Sequence, residues 1–222
     1  MLGALAPLSA QDLTITNARV IGPNATVIER GSIVVRDGKI VSAAAGAPSS
    51  TSGKVIDAKG MSAMPGFIDA HRHINTGPSE KTQMQAQLEA GYTTILSGGG
   101  PADGNITLRD NIESGRINGP RILPSGQLRL NRHTPESARE EIRKMAAMGV
   151  KFTGEIQIMG PNTASYIQMG DRLGTIEVGK IADIILLDGD PLEGYWNWLK
   201  TKVTIKGGVV VDKRYRASAI CS

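Results

Sequence analysis

Cysteine and aromatic residues are scarce in this sequence, and each shortage excludes a class of protein. The one cysteine, Cys221, excludes an internal disulfide framework and a zinc site built from several cysteines. Aromatic residues make up only 4% of the 222 residues, too few for the stacking platforms of proteins that bind single-stranded nucleic acid. Lysine and arginine form no run, so the net charge of +4 indicates solubility, and no nucleic-acid partner is expected. No apolar run is long enough to span a bilayer, so no membrane partner is expected.

The residues that are present are sufficient for a folded core, because 40% are hydrophobic and 21% charged. Residues 1–11 are apolar and then small, which resembles the end of a secretory signal peptide without its basic start. A disordered extension is the alternative. The first interpretation predicts a periplasmic or secreted protein and the second a cytoplasmic one. Residues 213–222 are predicted to form a tail.

Segments with the character of β-strands lie at both ends of the chain. Residues 12–64 contain two apolar runs joined by Asp37-Gly38, which is a strong hairpin signal because both turn positions need positive φ. Residues 45–53 are rich in small residues and are predicted to form a loop. Further strands are predicted at 174–176, 182–188 and 203–206, and Gly207-Gly208 predicts a second hairpin that returns along 209–211.

The middle of the chain alternates strands and helices. Predicted strands at 66–70, 92–96, 121–123 and 150–153 alternate with predicted helices at 79–90, 107–114 and 134–148. Such alternation with short loops predicts βα units and a parallel sheet. One more helix is predicted at 162–169.

Two histidines follow the first strand of this middle region. His71 and His73 lie two residues apart, and residues at that spacing on a strand point to the same side. Their imidazoles can therefore meet one metal ion, at the end of the strand where barrel folds carry their chemistry. Neutral imidazole favours Zn, with Mn, Fe or Co as alternatives. A divalent metal, Zn first, is thus the predicted cofactor.

The run Pro65-Gly66-Phe67-Ile68-Asp69-Ala70-His71-Arg72-His73 resembles the first-strand motif of the amidohydrolase superfamily. Residues 171–192 resemble the ending of the same family, and Gly91-Tyr92-Thr93-Thr94 resembles its second strand. The resemblance covers about residues 12–212. It is nearest to the imidazolonepropionase-like subgroup, which includes prolidase-type dipeptidases and enzymes that hydrolyse ochratoxin-type amides.

The resemblance implies an α/β fold, a TIM-like (β/α)8 barrel beside a small β-sandwich. The sandwich would be a composite of residues 12–64 and 174–212, and residues 65–173 would form the barrel part. In the family, first-strand histidines bind one metal and a carboxylated Lys or a Glu bridges to a second. Later strands supply two histidines and an Asp. The implied reaction is hydrolysis of the amide of a small N-acyl amino acid or dipeptide by a metal-activated water.

The middle segment departs from the family because it is much shorter than the roughly 250 residues of such a barrel. Beyond His71 and His73 the sequence offers only His133, expected in a solvent-exposed loop. Glu155 is the candidate bridging ligand, and Lys151 is a weaker one. No catalytic residue is assigned.

Three hypotheses stay open for the chain. It is an active metal-dependent amidohydrolase, a catalytically inactive remnant that acts by assembling with another chain, or a small metal-binding module. An incomplete barrel exposes sheet edges, so a homo-oligomer is expected.

Overall fold

The structure is a computed structural model that describes residues 11–23, 26–74, 77–126, 134–148, 161–193 and 195–211. The strands are β1 (Leu13–Ile21), β2 (Val27–Arg36), β3 (Lys39–Ala45), β4 (Lys54–Asp57), β5 (Ser62–Pro65), β6 (Phe67–Arg72), β7 (Tyr92–Ser97), β8 (Arg121–Leu123), β9 (Ile184–Leu187), β10 (Thr201–Lys206) and β11 (Val209–Val210). The helices are α1 (Glu80–Glu89), α2 (Ala102–Glu113), α3 (Pro135–Ala147), α4 (Pro161–Tyr166) and a 3-10 helix at Tyr195–Leu199. None of the described helices is both long and apolar enough to cross a membrane.

The larger sheet takes strands from both ends of the chain. Its order is β11-β10-β9-β5-β1-β2-β3, with β4 also paired to β1. The central strand β1 runs antiparallel to β2 and parallel to β4 and β5, while β5 and β9 join the two chain ends in antiparallel register. Fully buried aliphatic side chains from these strands form the core of this region, among them Leu13, Ile15, Ile33, Ile184 and Leu186.

Both predicted hairpin turns are confirmed. Asp37 and Gly38 have φ of 48° and 71° between β2 and β3, as a turn with two positive φ values requires. Gly207 and Gly208 have φ of 57° and 81° between β10 and β11. The predicted loop over residues 45–53 begins where β3 ends.

The smaller sheet is parallel, in the order β6-β7-β8. A cluster of buried residues from α1, α2, β7 and β8 covers one face: Met84, Ile95, Leu108, Ile112 and Ile122. On the other face of the sheet, a second cluster joins β6 and β7 to the chain from α4 onward. Its members are Ile68, Leu96, Ala164, Ile167, Met169 and Leu173. The predicted βα units are therefore confirmed over these three strands. The predicted strand at 150–153 lies outside the described residues, and the closed barrel and the sandwich stay predictions.

Several predicted boundaries were wrong. Residues 174–176 form no strand: Gly174 has φ of 91°, and Ile176 is buried because it packs into the core of the larger sheet. Its apolar character reflected burial rather than strand geometry. Helix α2 begins at Ala102, well before the predicted 107. The early turn was missed because it contains Asp and Gly, which are typical of loops. The strand predicted at 182–188 is limited to Ile184–Leu187, and the helix predicted at 162–169 spans Pro161–Tyr166.

Helix starts were predicted with mixed success. Thr134, the first residue of the predicted helix, caps α3, because its Oγ1 accepts a hydrogen bond from the backbone N–H of Ser137 at 3.2 Å. Ser79 does precede α1, yet it makes no capping bond. Its hydroxyl accepts instead from the Gln83 side chain at 2.7 Å.

The two sheets meet at a joint of aromatic and charged groups. Phe67, the first residue of β6, stacks on Trp198 with ring centroids 6.1 Å apart. The Trp198 indole donates to the Pro191 carbonyl at 3.0 Å, which fixes the ring in this position. Arg121 in β8 pairs with Asp183, just before β9, at 2.8 Å. The joint holds the smaller sheet in a defined position against β9 and β10.

Candidate metal centre

The candidate site lies where the three parallel strands end. Strand β6 ends at Arg72 with His71 beside it and His73 following, β7 ends at Ser97 before three glycines, and β8 is followed by Ser125. Because the strands are parallel, their carboxyl ends lie along one edge of the sheet. This is the edge at which α/β folds place ligands.

The two histidines come together as predicted. Their ring centroids are 5.2 Å apart, and the ring planes are inclined at 80°. His73 is exposed and His71 is half-buried. The Nδ1 atom of His71 is itself buried and has no hydrogen-bond partner among the residues that the structure describes. A buried ring nitrogen without a partner requires an explanation, and an absent ligand is one.

Asp69 and Arg72 support the strand end rather than the metal site. One Asp69 carboxylate oxygen accepts the backbone N–H of His71 at 3.1 Å, and the other lies 3.4 Å from the Arg72 guanidinium. The guanidinium also lies 6.0 Å from the centre of the Tyr92 ring. These contacts brace the carboxyl end of β6.

The glycines after β7 lie directly against the histidine pair. A Cβ atom on Gly98 would stand 2.9 Å from Nε2 of His71 and 3.0 Å from its Cδ2. A Cβ atom on Gly99 would lie 3.8 Å from Cε1 of His73. The glycine loop that follows β7 therefore lies against both rings.

A buried polar cluster beneath this loop was not predicted. Ser97, Asn105 and Ser125 are 0%, 1% and 2% exposed. The Ser125 hydroxyl accepts the Gly99 N–H at 2.9 Å and lies 3.0 Å from the Ser97 hydroxyl. The Asn105 amide donates to the carbonyls of Gly99 and Ser125 at 3.1 and 2.8 Å. The one signal in the sequence for this cluster is that Ser97 and Ser125 follow the ends of two predicted strands.

The residues present suit one half of a metal site. Two imidazoles, one with an orphaned buried nitrogen, match the ligand preference of Zn. Within the described ranges, no group of three or more His, Cys, Asp or Glu side chains is placed to hold a metal. The predicted ligand Glu155, together with Lys151 and His133, lies outside the described residues.

Comparison with known proteins points to one family. The sequence profile of the amidohydrolase family matches residues 133–213. The imidazolonepropionase of Caldanaerobacter subterraneus subsp. tengcongensis is 39% identical over 74 residues, which are 33% of this chain and 18% of that protein. The chain thus spans less than a fifth of that curated relative.

Solved structures extend the likeness to the fold. A Xaa-Pro dipeptidase aligns over 91% of this chain and 100% of its own, with a TM-score of 0.71 and 15% identity. The ochratoxinase of A. niger aligns over 91% of this chain and 96% of its own, with a TM-score of 0.66 and 11% identity. At these identities the structures indicate a shared fold. The chain is thus similar to the amidohydrolase family over residues 133–213 and shares its fold with these solved hydrolases.

Proposed function

We propose that this chain is a metal-dependent amidohydrolase that hydrolyses the C–N bond of a small amide. The observation that carries the proposal is the pair of imidazoles at the carboxyl end of β6, where one buried ring nitrogen has no partner within the described ranges. His71 and His73 would hold the metal, with Zn as the first choice. We propose Glu155 as a further ligand.

The chemistry divides between the metal and the chain. A divalent metal held by this pair would acidify water and polarise the amide carbonyl. The chain orients the ligands: Asp69 fixes the backbone at His71, and the loop at Gly98 limits where the imidazole can lie. His73 is exposed, so the proposed centre is open to a substrate from solvent.

The proposed substrate class is a small N-acyl amino acid or dipeptide-like amide. This class is supported by two proteins of similar structure, a Xaa-Pro dipeptidase and an ochratoxinase. An ochratoxin-type amide and an X-Pro dipeptide are therefore the first compounds to test. A bound amide would lie over the exposed face of His73, at the edge where β6 and β7 end.

A second candidate is an inactive member of the family that acts by assembling with another chain. The histidine count favours it: beyond the pair, this sequence supplies only His133, whereas the family resemblance implies two histidines from later strands. A homo-oligomer is the simplest assembly. Metal content separates the two candidates, because the first requires a metal bound by this chain.

The test is elemental analysis of the purified, desalted protein beside the double variant His71→Ala/His73→Ala. We expect about one Zn per chain in the wild type and its loss in the double variant, because both ligands of the half-site are removed. Glu155→Gln should bind Zn more weakly than the wild type but more strongly than the double variant.

His133 provides the matched control, since the sequence predicts it in a solvent-exposed loop and not among the ligands. His133→Ala should retain the wild-type zinc content. Absence of Zn from the wild type would contradict the proposal and favour the assembly candidate. With Zn present, release of free amino acid from the two test amides measures the activity.

A further inference from the structure

We propose that Ser97, Asn105 and Ser125, here called the serine–asparagine clamp, together with Gly98 position the imidazole of His71 for metal binding. This inference rests on the proposed function, because it concerns the same metal centre. It assigns a positioning role to four residues outside the ligand set. None of them would touch the metal or the substrate.

The clamp fixes the loop from three elements. Ser97 closes β7, Asn105 lies in α2, and Ser125 follows β8. The N–H of Ser125 donates to the Ser97 hydroxyl at 2.8 Å, and the Ser125 hydroxyl accepts the N–H of Gly99 at 2.9 Å. Each of the three side chains is almost fully buried, so these bonds are shielded from competing water.

Gly98 transmits the position of the loop to the histidine. Its N–H donates to the Arg72 carbonyl at 2.7 Å, which ties the loop to the strand that carries His71. Its Cα faces the imidazole so closely that a Cβ would stand 2.9 Å from Nε2. Real Cβ atoms essentially never approach that closely, and the obstacle is a half-buried ring.

The glycine at this position is explained by the imidazole and not by its own backbone. Gly98 is absent from the residues with positive φ, so a side chain would be tolerated there if the space were free. The following glycines differ: Gly99 and Gly100 have φ of 113° and 93°. The missing side chain at Gly98 therefore makes room for the ring of His71.

Displacing the ring should weaken metal binding more than it weakens the fold. Groups that orient a metal ligand are typically worth about 10- to 100-fold in metal affinity. Gly98→Ala pushes directly on the imidazole ring of His71, whose Nδ1 is the candidate metal-binding atom. Ser125→Ala removes the acceptor for Gly99 and should act in the same direction by a smaller factor, about tenfold.

The experiment measures zinc affinity by competition with a chromophoric chelator, the d–d absorption of the Co²⁺ form, and thermal unfolding without metal. Gly119→Ala is the matched control, because its Cβ would stand 2.8 Å from Ile112 and 2.9 Å from Met84, away from the histidines. We expect Gly98→Ala to lose about 10- to 100-fold in affinity and to shift the Co²⁺ band. Gly119→Ala should lower the unfolding temperature and retain wild-type affinity.

The outcomes separate this inference from the proposed function. Wild-type protein that binds no Zn overturns both. Zinc binding by the wild type, with unchanged affinity and Co²⁺ spectrum in Gly98→Ala, overturns the inference alone. If Gly98→Ala does not fold, Ser125→Ala takes its place, and wild-type zinc affinity in that variant also overturns the inference alone. An equal loss of affinity in Gly119→Ala would also overturn it, because the effect would then reflect general destabilisation.

Discussion

Lys206, the last residue of β10, carries an ammonium group in an unfavourable place. Its Nζ donates to the Gly119 carbonyl at 2.6 Å, so the side chain reaches from the larger sheet into the loop before β8. Burial, and then the nearby Arg121 guanidinium, lower the pKa of Lys206 to about 8, against the partial opposition of Asp183 and Glu113. The folded protein therefore destabilises the charged ammonium of Lys206 at neutral pH.

The sign of the resulting pH dependence is the reverse of that for a salt-bridged lysine. Since the folded-state pKa of about 8 lies below the ordinary value of 10.5, the unfolded chain binds more protons between these two values. Stability therefore rises with pH through this window. We expect the wild type to gain about 2 kcal/mol in unfolding free energy relative to Lys206→Met between pH 7 and 10. Urea denaturation of both proteins at several pH values measures the difference.

Lys202→Met is the control for this effect, because Lys202 lies on the same strand but is 55% exposed and paired with Asp188. The wild type and Lys202→Met should change in parallel with pH. Parallel curves for Lys206→Met as well would show that the ammonium is hydrated and that its pKa is ordinary.

At the scale of elements, the sequence predicted best the features that depend only on neighbouring residues in the chain. The turn at Asp37-Gly38 needs only local positive φ, and the histidine pair needs only the two-residue period of a strand. What depends on distant neighbours was missed. Strand β1 pairs with β2, β4 and β5, and the short β5 bridges the chain ends through β9, none of which a local pattern indicates.

The candidate site shows the same division. The closeness of His71 and His73 was predicted, but the loop beside them was not, because Gly98 matters only through its approach to a ring on another strand. Ser125 lies 28 residues from Ser97 and 20 from Asn105, and in the sequence all three resemble ordinary polar residues. Their burial became evident only once β7, α2 and β8 were assembled.

The joint between the sheets depends on Asp183, which lies directly before β9 and whose side chain is 5% exposed. One carboxylate oxygen accepts from Arg121 at 2.8 Å and the other from the Gly207 N–H at 2.7 Å. Asp183→Asn removes the negative charge and replaces one acceptor by a donor. We expect the unfolding free energy to fall by about 3 kcal/mol. This is the lower end of the range for breaking a buried ion pair, because the Arg121 side chain is still 21% exposed.

Asp188→Asn provides the comparison at the other end of β9. Asp188 is 64% exposed and lies 3.4 Å from Lys202, so its loss should cost less than about 1 kcal/mol. Denaturation midpoints of the two variants test the contrast. Similar small losses would mean that the Arg121 pair adds nothing to the joint. A double-mutant cycle with Arg121→Met isolates the pair itself.

For the whole molecule, the described structure combines a large sheet shared by both chain ends with a small parallel sheet of three strands. Parallel sheets are normally covered on both faces and continued or closed at their edges. In the described part of the chain, β8 pairs with β7 alone, so it forms an edge. Large apolar side chains are also exposed on the larger unit, with Leu199 at 84% and Val178 at 67%.

An edge strand and exposed apolar groups favour association, because pairing with a second copy satisfies backbone groups and buries apolar surface. We therefore expect the purified chain to form homo-oligomers, with an unfolding temperature that rises with protein concentration. Sedimentation equilibrium and thermal unfolding over a hundredfold concentration range measure both quantities. Leu199→Lys should weaken the association without abolishing it, because this substitution leaves the β8 edge unchanged. A monomer that unfolds cooperatively at a concentration-independent temperature would contradict this expectation, since a three-stranded parallel sheet would then be stable with its edge unpaired.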